Sequence, residues 1–287
     1  HVEVAEGAAV VRQRLAFAVD DFHLDPVHGA PRLAPLREHL LARGADVSSS
    51  RLGWTPLHTA VRVRNPDTVA MPNPIGRGNV DSLAFIETML EYGADPNAVT
   101  TRAVPGIFTF LNTKGATPFL LAARTGDYEM MKALAKFGAD PMLTNVDGST
   151  ALMIAAGLGI RSPGEDAGIE AEVLQALQVA LDLGNDINAV NKNGETAMHG
   201  AAYKAMPGVA QFLADKGADA KVWYRQNKQG WTPLSITQGF HFDNFIPSPE
   251  TEAALKKIMT AAGVSTSTEG LSNCDTHSLN ECKPVAK

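Results

Sequence analysis

Apolar and polar positions along this chain come in short blocks with helical spacing rather than in strict alternation. The run Met130-Met131-Lys132-Ala133-Leu134-Ala135-Lys136-Phe137 sets apolar residues three and four apart, the signature of one buried helix face. Blocks of this kind end at Gly-Ala-Asp, which stands at 44–46, 93–95, 138–140 and 217–219, with the variant Gly184-Asn185-Asp186. Glycine there can adopt the left-handed conformation that closes a helix without a side-chain clash, so each tripeptide predicts a helix stop. A start signal recurs as well, at Gly53-Trp54-Thr55-Pro56-Leu57-His58, Gly115-Ala116-Thr117-Pro118-Phe119, Gly148-Ser149-Thr150-Ala151-Leu152, Gly194-Glu195-Thr196-Ala197-Met198-His199 and Gly230-Trp231-Thr232-Pro233-Leu234. A threonine oxygen can accept from the amides that open a helix, and proline at the first helical position gives up a donor that would be unpaired anyway.

Five copies in unvarying order make an internal repeat. Thr117 to Gly138 and Thr196 to Gly217 are both 21 positions apart, room for two short helices. The links to the next threonine, such as Asn188-Ala189-Val190-Asn191-Lys192-Asn193-Gly194, carry turn chemistry and predict a tight hairpin-like finger. The expected fold class is all-α, a solenoid of stacked helix-turn-helix units with hairpin fingers. One such pair cannot bury its apolar face alone, so the copies must share a core. Leu57, Leu120, Leu134, Leu152, Leu181, Leu213 and Leu234 are its expected inward residues, each worth roughly 1.5–3 kcal/mol when fully buried.

The unit resembles the ankyrin repeat. Gly53-Trp54-Thr55-Pro56-Leu57-His58-Thr59-Ala60 and Gly194-Glu195-Thr196-Ala197-Met198-His199-Gly200-Ala201-Ala202 follow its Gly-x-Thr-Pro-Leu-His-x-Ala-Ala signature, and the likeness covers about residues 32–262. It implies that His58 and His199 are scaffold residues whose rings bond backbone in the adjacent finger. It also implies that the chain grips another protein with its fingers and inner helices, along a concave face. Long Pro/Gly insertions and the block Thr117 to Gly126 are most like those of bacterial, often exported, arrays, from which a periplasmic or extracellular location is expected, with a cytoplasmic one as the alternative. Residues 1–31 lack the start signal and are expected to form a cap or degenerate repeat, while 263–287 read as a polar tail.

Four stretches break the period, near 65–80, 100–111, 158–170 and 240–249. Insertions in repeat arrays map to loops and often to the working face. Phe108, Phe110, Phe240, Phe242 and Phe245 lie on such stretches. Two readings fit them: a fold-back that covers the solenoid, or anchors for a partner. Among finger residues, Trp54, Asn191, Lys192, Trp223, Tyr224, Arg225 and Trp231 join Phe108 and Phe110 as the expected partner-binding set, because Trp, Tyr and Arg dominate binding hot spots. For Trp223-Tyr224-Arg225 the competing reading is packing against the neighbouring repeat.

Composition narrows the alternatives. A net charge of −6 with interleaved signs leaves no basic stripe for nucleic acid, and no run of about 18 apolar residues is long enough for membrane insertion. Cys274 and Cys282, eight positions apart in the polar tail, read as a local disulfide and hence an oxidising compartment, or as two free thiols. Zinc is disfavoured, since His277 alone is near them, and the chain has no His-Glu-x-x-His, nucleophile elbow, phosphate loop or dinucleotide fingerprint. The expectation is a non-catalytic protein-binding scaffold without cofactor or metal. The alternative is a homo-oligomer or filament built through the solenoid ends and the C-terminal tail.

Overall fold

A computed structural model describes residues 43–65, 81–103, 109–160, 163, 167–240 and 247–267. Each of the five threonines caps a helix from an extended backbone conformation: Thr55 opens α1 (Pro56–Arg64), and then come Asp81 before α2 (Ser82–Glu91) and Thr117 before α3 (Pro118–Arg124). After α4 (Tyr128–Lys136), Thr150 opens α5 (Ala151–Ala155), followed by α6 (Glu170–Asp182). Thr196 opens α7 (Ala197–Lys204), followed by α8 (Pro207–Asp215) and the single turn α9 (Ala220–Trp223). Thr232 opens α10 (Pro233–Thr237), and α11 (Pro249–Ala261) ends the array. Among the described residues every regular element is a helix.

Two capping devices are used. The hydroxyls of Thr117, Thr150 and Thr232 accept from the amide three residues on, at 3.3, 3.3 and 3.1 Å. In the first and fourth repeats a histidine occupies that third position, and its Nδ1 accepts from the threonine amide: Thr55 to His58 at 3.1 Å and Thr196 to His199 at 3.2 Å. Each ring then donates from Nε2 into the next finger, His58 to the Ala116 carbonyl at 3.1 Å and His199 to the Arg225 carbonyl at 3.2 Å, as the resemblance implied. Both rings have no exposed surface. Burial holds them neutral, pushing His58 down to about 4 and His199 to about 3, against the opposing pull of those carbonyls.

The helices form two rows. α1, α3, α5, α7 and α10 pack on one another in order, each also pairs with the helix that follows it, and α4, α6, α8 and α11 stack as the second row. First-row helices after α1 are covered on every side, which is why α3, α5, α7 and α10 bury all their residues, small alanines serving the purpose in α3, α5 and α7. A second-row helix has a wet face, so α6 buries Val173, Ala176, Leu177, Val179 and Ala180 and exposes Ala171, Gln175 and Asp182. Six of the seven expected inward leucines are at most 1% exposed, whereas Leu181 is only partly buried at the edge of the core. Helices α2, α4, α6 and α8 end alike: Ala94, Ala139, Asn185 and Ala218 each return an amide to a carbonyl five residues back, at 2.9–3.0 Å, over a left-handed glycine.

One backbone hydrogen bond joins each finger to the next: Thr101 to Gly53 (2.8 Å), Val146 to Lys114 (3.1 Å), Lys192 to Asp147 (2.9 Å) and Lys228 to Asn193 (2.8 Å). An asparagine three residues before the finger glycine shapes the tips. Asn145, Asn191 and Asn227 each accept, through Oδ1, from the amides two and four residues on, at 2.8–3.1 Å. The result is a continuous edge of short-range turns, the last three each set by its own asparagine, and each finger locked to its neighbour.

Candidate functional site

The finger edge carries apolar side chains that the core does not use. Val99 is 50% exposed, Phe110 49%, Val146 38% and Val190 37%, and charge is supplied beside them by exposed Lys192 and Arg225. Lys192 also reaches back, its Nζ donating to the Val146 carbonyl at 2.7 Å, so the ammonium is held along the edge. Tyr224 is half-buried and donates to the Ser267 carbonyl at 3.1 Å, pinning the segment after α11 against the last finger. Its hydroxyl is raised above the usual phenol range by partial burial.

Three expected partner-binding residues are interior instead. Trp223 and Trp231 are each 2% exposed and belong to the core, Trp223 packing edge-on against Tyr224 with ring centres 6.2 Å apart. Asn191, 6% exposed, spends its side chain on the turn and on Ser149 Oγ (3.1 Å) and Glu195 Oε2 (3.2 Å). None of the three can meet a partner without unfolding its finger. Trp54 is half-buried against the core, as is Phe240, which follows the fold-back reading. Phe108, Phe242, Phe245, Cys274, Cys282 and residues 1–31 lie outside the described residues.

Register explains the tryptophans. The position between the finger glycine and the capping threonine holds Trp54, Ala116, Ser149, Glu195 and Trp231. Two small residues at 1% exposure show that this slot faces inward, and a tryptophan there is filling. The same alignment exposes a residue that motif reading passed over, since Glu195 puts a carboxylate where the other repeats place apolar or small side chains.

Glu195 sits in a cluster of donors. Tyr203 Oη donates to Oε1 at 3.1 Å, Asn227 Nδ2 to Oε1 at 3.3 Å, and Asn191 Nδ2 to Oε2 at 3.2 Å, while Asn227 also donates to the Tyr203 oxygen at 2.9 Å. Burial pushes the Glu195 carboxyl up, and the amide and phenol donors pull against it by favouring the anion. The Tyr203 hydroxyl is driven well above its usual range by burial and then by the neighbouring carboxylate, so it stays a donor.

Above this cluster the inserted part of the second finger crosses to the loop after α5. Phe110 N donates to the Gly159 carbonyl at 2.7 Å, Thr109 Oγ1 donates to the same oxygen, and Leu111 N donates to Thr109 Oγ1 at 3.0 Å. Leu111 lies so close to Gly159 that a β-carbon there would stand 2.5 Å from its amide nitrogen, and Gly159 has φ +79°. Loop 157–160 is braced from below, because a β-carbon on Gly200 of α7 would meet the Leu158 amide at 2.9 Å. Between these walls is a cleft of ≈ 70 Å³, with Phe110, Leu111, Leu158 and Ile160 on its sides and Asp147, Asn193, Glu195 and Tyr203 among its polar lining. Among the described residues no group of three or more His, Cys, Asp or Glu could hold a metal ion, and no helix is long and apolar enough to cross a membrane.

Fold, capping residues and finger ladder together define an all-α ankyrin-repeat solenoid. Family models for ankyrin repeats match the chain twice, one described as three copies over residues 78–162 and one as many copies over 166–213. Among curated proteins the chain is similar to NF-kappa-B inhibitor alpha from Sus scrofa and from Homo sapiens, 31% identical over 121 residues in both, covering 41% of this chain and 36% of each relative. The Rattus norvegicus protein of the same name is 31% identical over 119 residues, covering 40% of this chain and 36% of its own length. The chain thus spans little more than a third of the curated relatives it matches.

Proposed function

We propose that this chain is a non-catalytic scaffold that binds another protein along its finger edge. The observation that carries the reading is the edge itself: fingers knit together by backbone hydrogen bonds, holding Val99, Val146, Val190 and Phe110 out in water. A pre-ordered surface loses little conformational entropy on binding, and apolar side chains held out on it are available for a partner to bury. Similarity to proteins named as inhibitors of NF-kappa-B, a name that describes action on another protein, supports the same class of function.

Capture of partners from the native source, by crosslinking to purified chain, tests the reading. The double variant Val146→Asp/Val190→Asp should lose capture about tenfold or more, in line with removal of about 1.4 kcal/mol or more of interface energy. Tyr92→Asp, on the exposed end of α2 and 52% exposed, should capture as the unaltered chain does. Capture indifferent to the finger variant, or abolished by Tyr92→Asp, would overturn the assignment of this edge. Export from a bacterial cell is a separate proposal, which fractionation of the native source decides.

A further inference from the structure

The cleft under the inserted finger segment has a shape and a charge that the binding edge as a whole does not. At ≈ 70 Å³ it is far below the roughly 300–1,000 Å³ typical of metabolite sites, and it suits the head of one side chain. Among the described residues its lining includes two carboxylates, Asp147 and Glu195, and no Lys, Arg or His. Glu195 is saturated by Tyr203, Asn191 and Asn227, and so supplies a fixed negative field at the floor. Asp147 differs: it is half-buried beside Lys192 and Asn193, and among the described residues none donates a hydrogen bond to its carboxylate. At the mouth, the half-exposed Phe110 offers an aromatic ring on a segment clamped by Gly159. A repeat array can place a tryptophan, alanine or serine where Glu195 stands, so nothing in the scaffold demands a carboxylate there.

Resting on the scaffold reading above, we propose that this cleft receives an arginine side chain of the partner protein, the guanidinium meeting Asp147 over the negative floor of Glu195 and stacking near Phe110. Arginine suits it better than lysine because a flat guanidinium can lie between the apolar walls while its edge N–H groups donate to a carboxylate and to side-chain amide oxygens. An aromatic ring over a partly desolvated cation adds to the attraction. The occupant is therefore a basic residue on an extended or loop segment that reaches in between the second finger and the loop after α5.

The test needs no identified partner. The probes are capped pentapeptides with a central arginine between alanines, and the same peptide with lysine or with citrulline, which keeps the shape of arginine and lacks its charge. Binding to the full chain is followed by amide and ring NMR shifts. The arginine peptide should shift Gly159, Asn193 and the Tyr203 ring, bind at least fivefold more tightly than the lysine peptide and tenfold more tightly than citrulline, and weaken as salt is raised. Asp147→Asn, which removes a charge but no internal hydrogen bond, should weaken it about tenfold with an unchanged melting temperature, and Phe110→Ala about threefold. Equal binding of arginine and citrulline, shifts confined to other surfaces, or an Asp147→Asn chain that binds as before would each overturn the assignment. If the arginine test fails while partners are still captured through Val146 and Val190, the cleft alone is refuted; if capture fails too, the scaffold reading falls with it.

Discussion

The second and fourth fingers solve one problem with different lengths of chain. In the fourth, Asn188 to Asn193 make the turn with nothing to spare: Asn191 organises the tip, Lys192 bonds to the finger before it, and Asn188 accepts from the Asp219 amide at 2.8 Å. The second finger turns through Asn112, which accepts from the Lys114 amide, and bonds to the finger before it through Thr101 N, but the residues before Asn112 leave the finger and reach Gly159 in the next repeat. Each position of the short finger serves the stack. The extra chain serves a wall, and a single carbonyl and a single missing β-carbon hold it there.

If that distinction is real, damage to the scaffold and damage to the wall should differ in kind. The largest effect is expected from Leu152→Ala in α5, which is fully buried between α3, α6 and α7. Loss of its side chain leaves a cavity in a core shared by several repeats and should cost about 2–5 kcal/mol. Chemical denaturation should show it, with protection from hydrogen exchange falling in neighbouring repeats as well. A stability change below about 1 kcal/mol would mean that the repeats do not share a core.

Gly159→Val acts on the wall. Valine must take φ +79° and put its β-carbon 2.5 Å from Leu111 N, so the inserted segment has to lift. Backbone strain of this kind costs about 1–3 kcal/mol if it is kept and less if the segment lets go. The expected outcome is selective: the Phe110 amide exchanges faster, while Lys192, bonded to Asp147 in the finger ladder, keeps its protection. Equal loss at both amides would show that wall and scaffold are one cooperative unit.

The same distinction governs what the sequence could reveal. Thr55, Thr117, Thr150, Thr196 and Thr232 and the glycines that follow the helices act on backbone within a few residues, so their roles were legible from spacing alone. His58 and His199 were legible through the resemblance, because their distant acceptors recur with the repeat. Trp223 and Trp231 were misread because residue type was weighed before register; Ala116 and Ser149, at the position of Trp231, carried the signal that the slot is interior. Glu195 could have been found in the same way, as the one carboxylate in a column otherwise of tryptophan, alanine and serine. Contact between Phe110 and Gly159 had no sequence signal, since it joins an insertion to a glycine 49 positions away and neither belongs to the period.

Acid should separate the two capping devices. An unfolded histidine takes up a proton near its ordinary value of 6.5, whereas the folded rings refuse it until about 4 for His58 and about 3 for His199. The unfolded chain therefore binds more protons in that window, and stability, complete above about pH 7, falls as pH drops through 6.5. The slope approaches roughly 1.4 kcal/mol per pH unit for each ring. Asp127 and Glu195 have the opposite sign, because burial raises them and the folded state takes up their protons first, so they offset part of the loss at lower pH. His199→Gln should flatten the slope between about pH 6.5 and 5 by close to half, measured by urea denaturation at each pH. An unchanged slope would place the acid sensitivity elsewhere than in the histidine caps.

The smallest effect tests how strictly the repeat obeys its own rules. Ala205, after α7, is the one non-glycine residue with positive φ among those described, at +53°, and the corresponding exit from α3 uses Gly126 at +67°. A left-handed alanine costs about 1–2 kcal/mol, and glycine would remove that strain while adding about 0.5–1 kcal/mol of backbone entropy to the unfolded state. Ala205→Gly should therefore stabilise the chain by no more than about 1 kcal/mol, seen as a slightly higher denaturation midpoint with the same dependence on denaturant. Because Met206 N bonds to the Ala201 carbonyl through this turn, the alternative is that the methyl group helps fix the entry to α8. A fall in the midpoint would show that the fourth repeat departs from the second for packing, and that its exit from the first row, like its Glu195, is particular to this repeat.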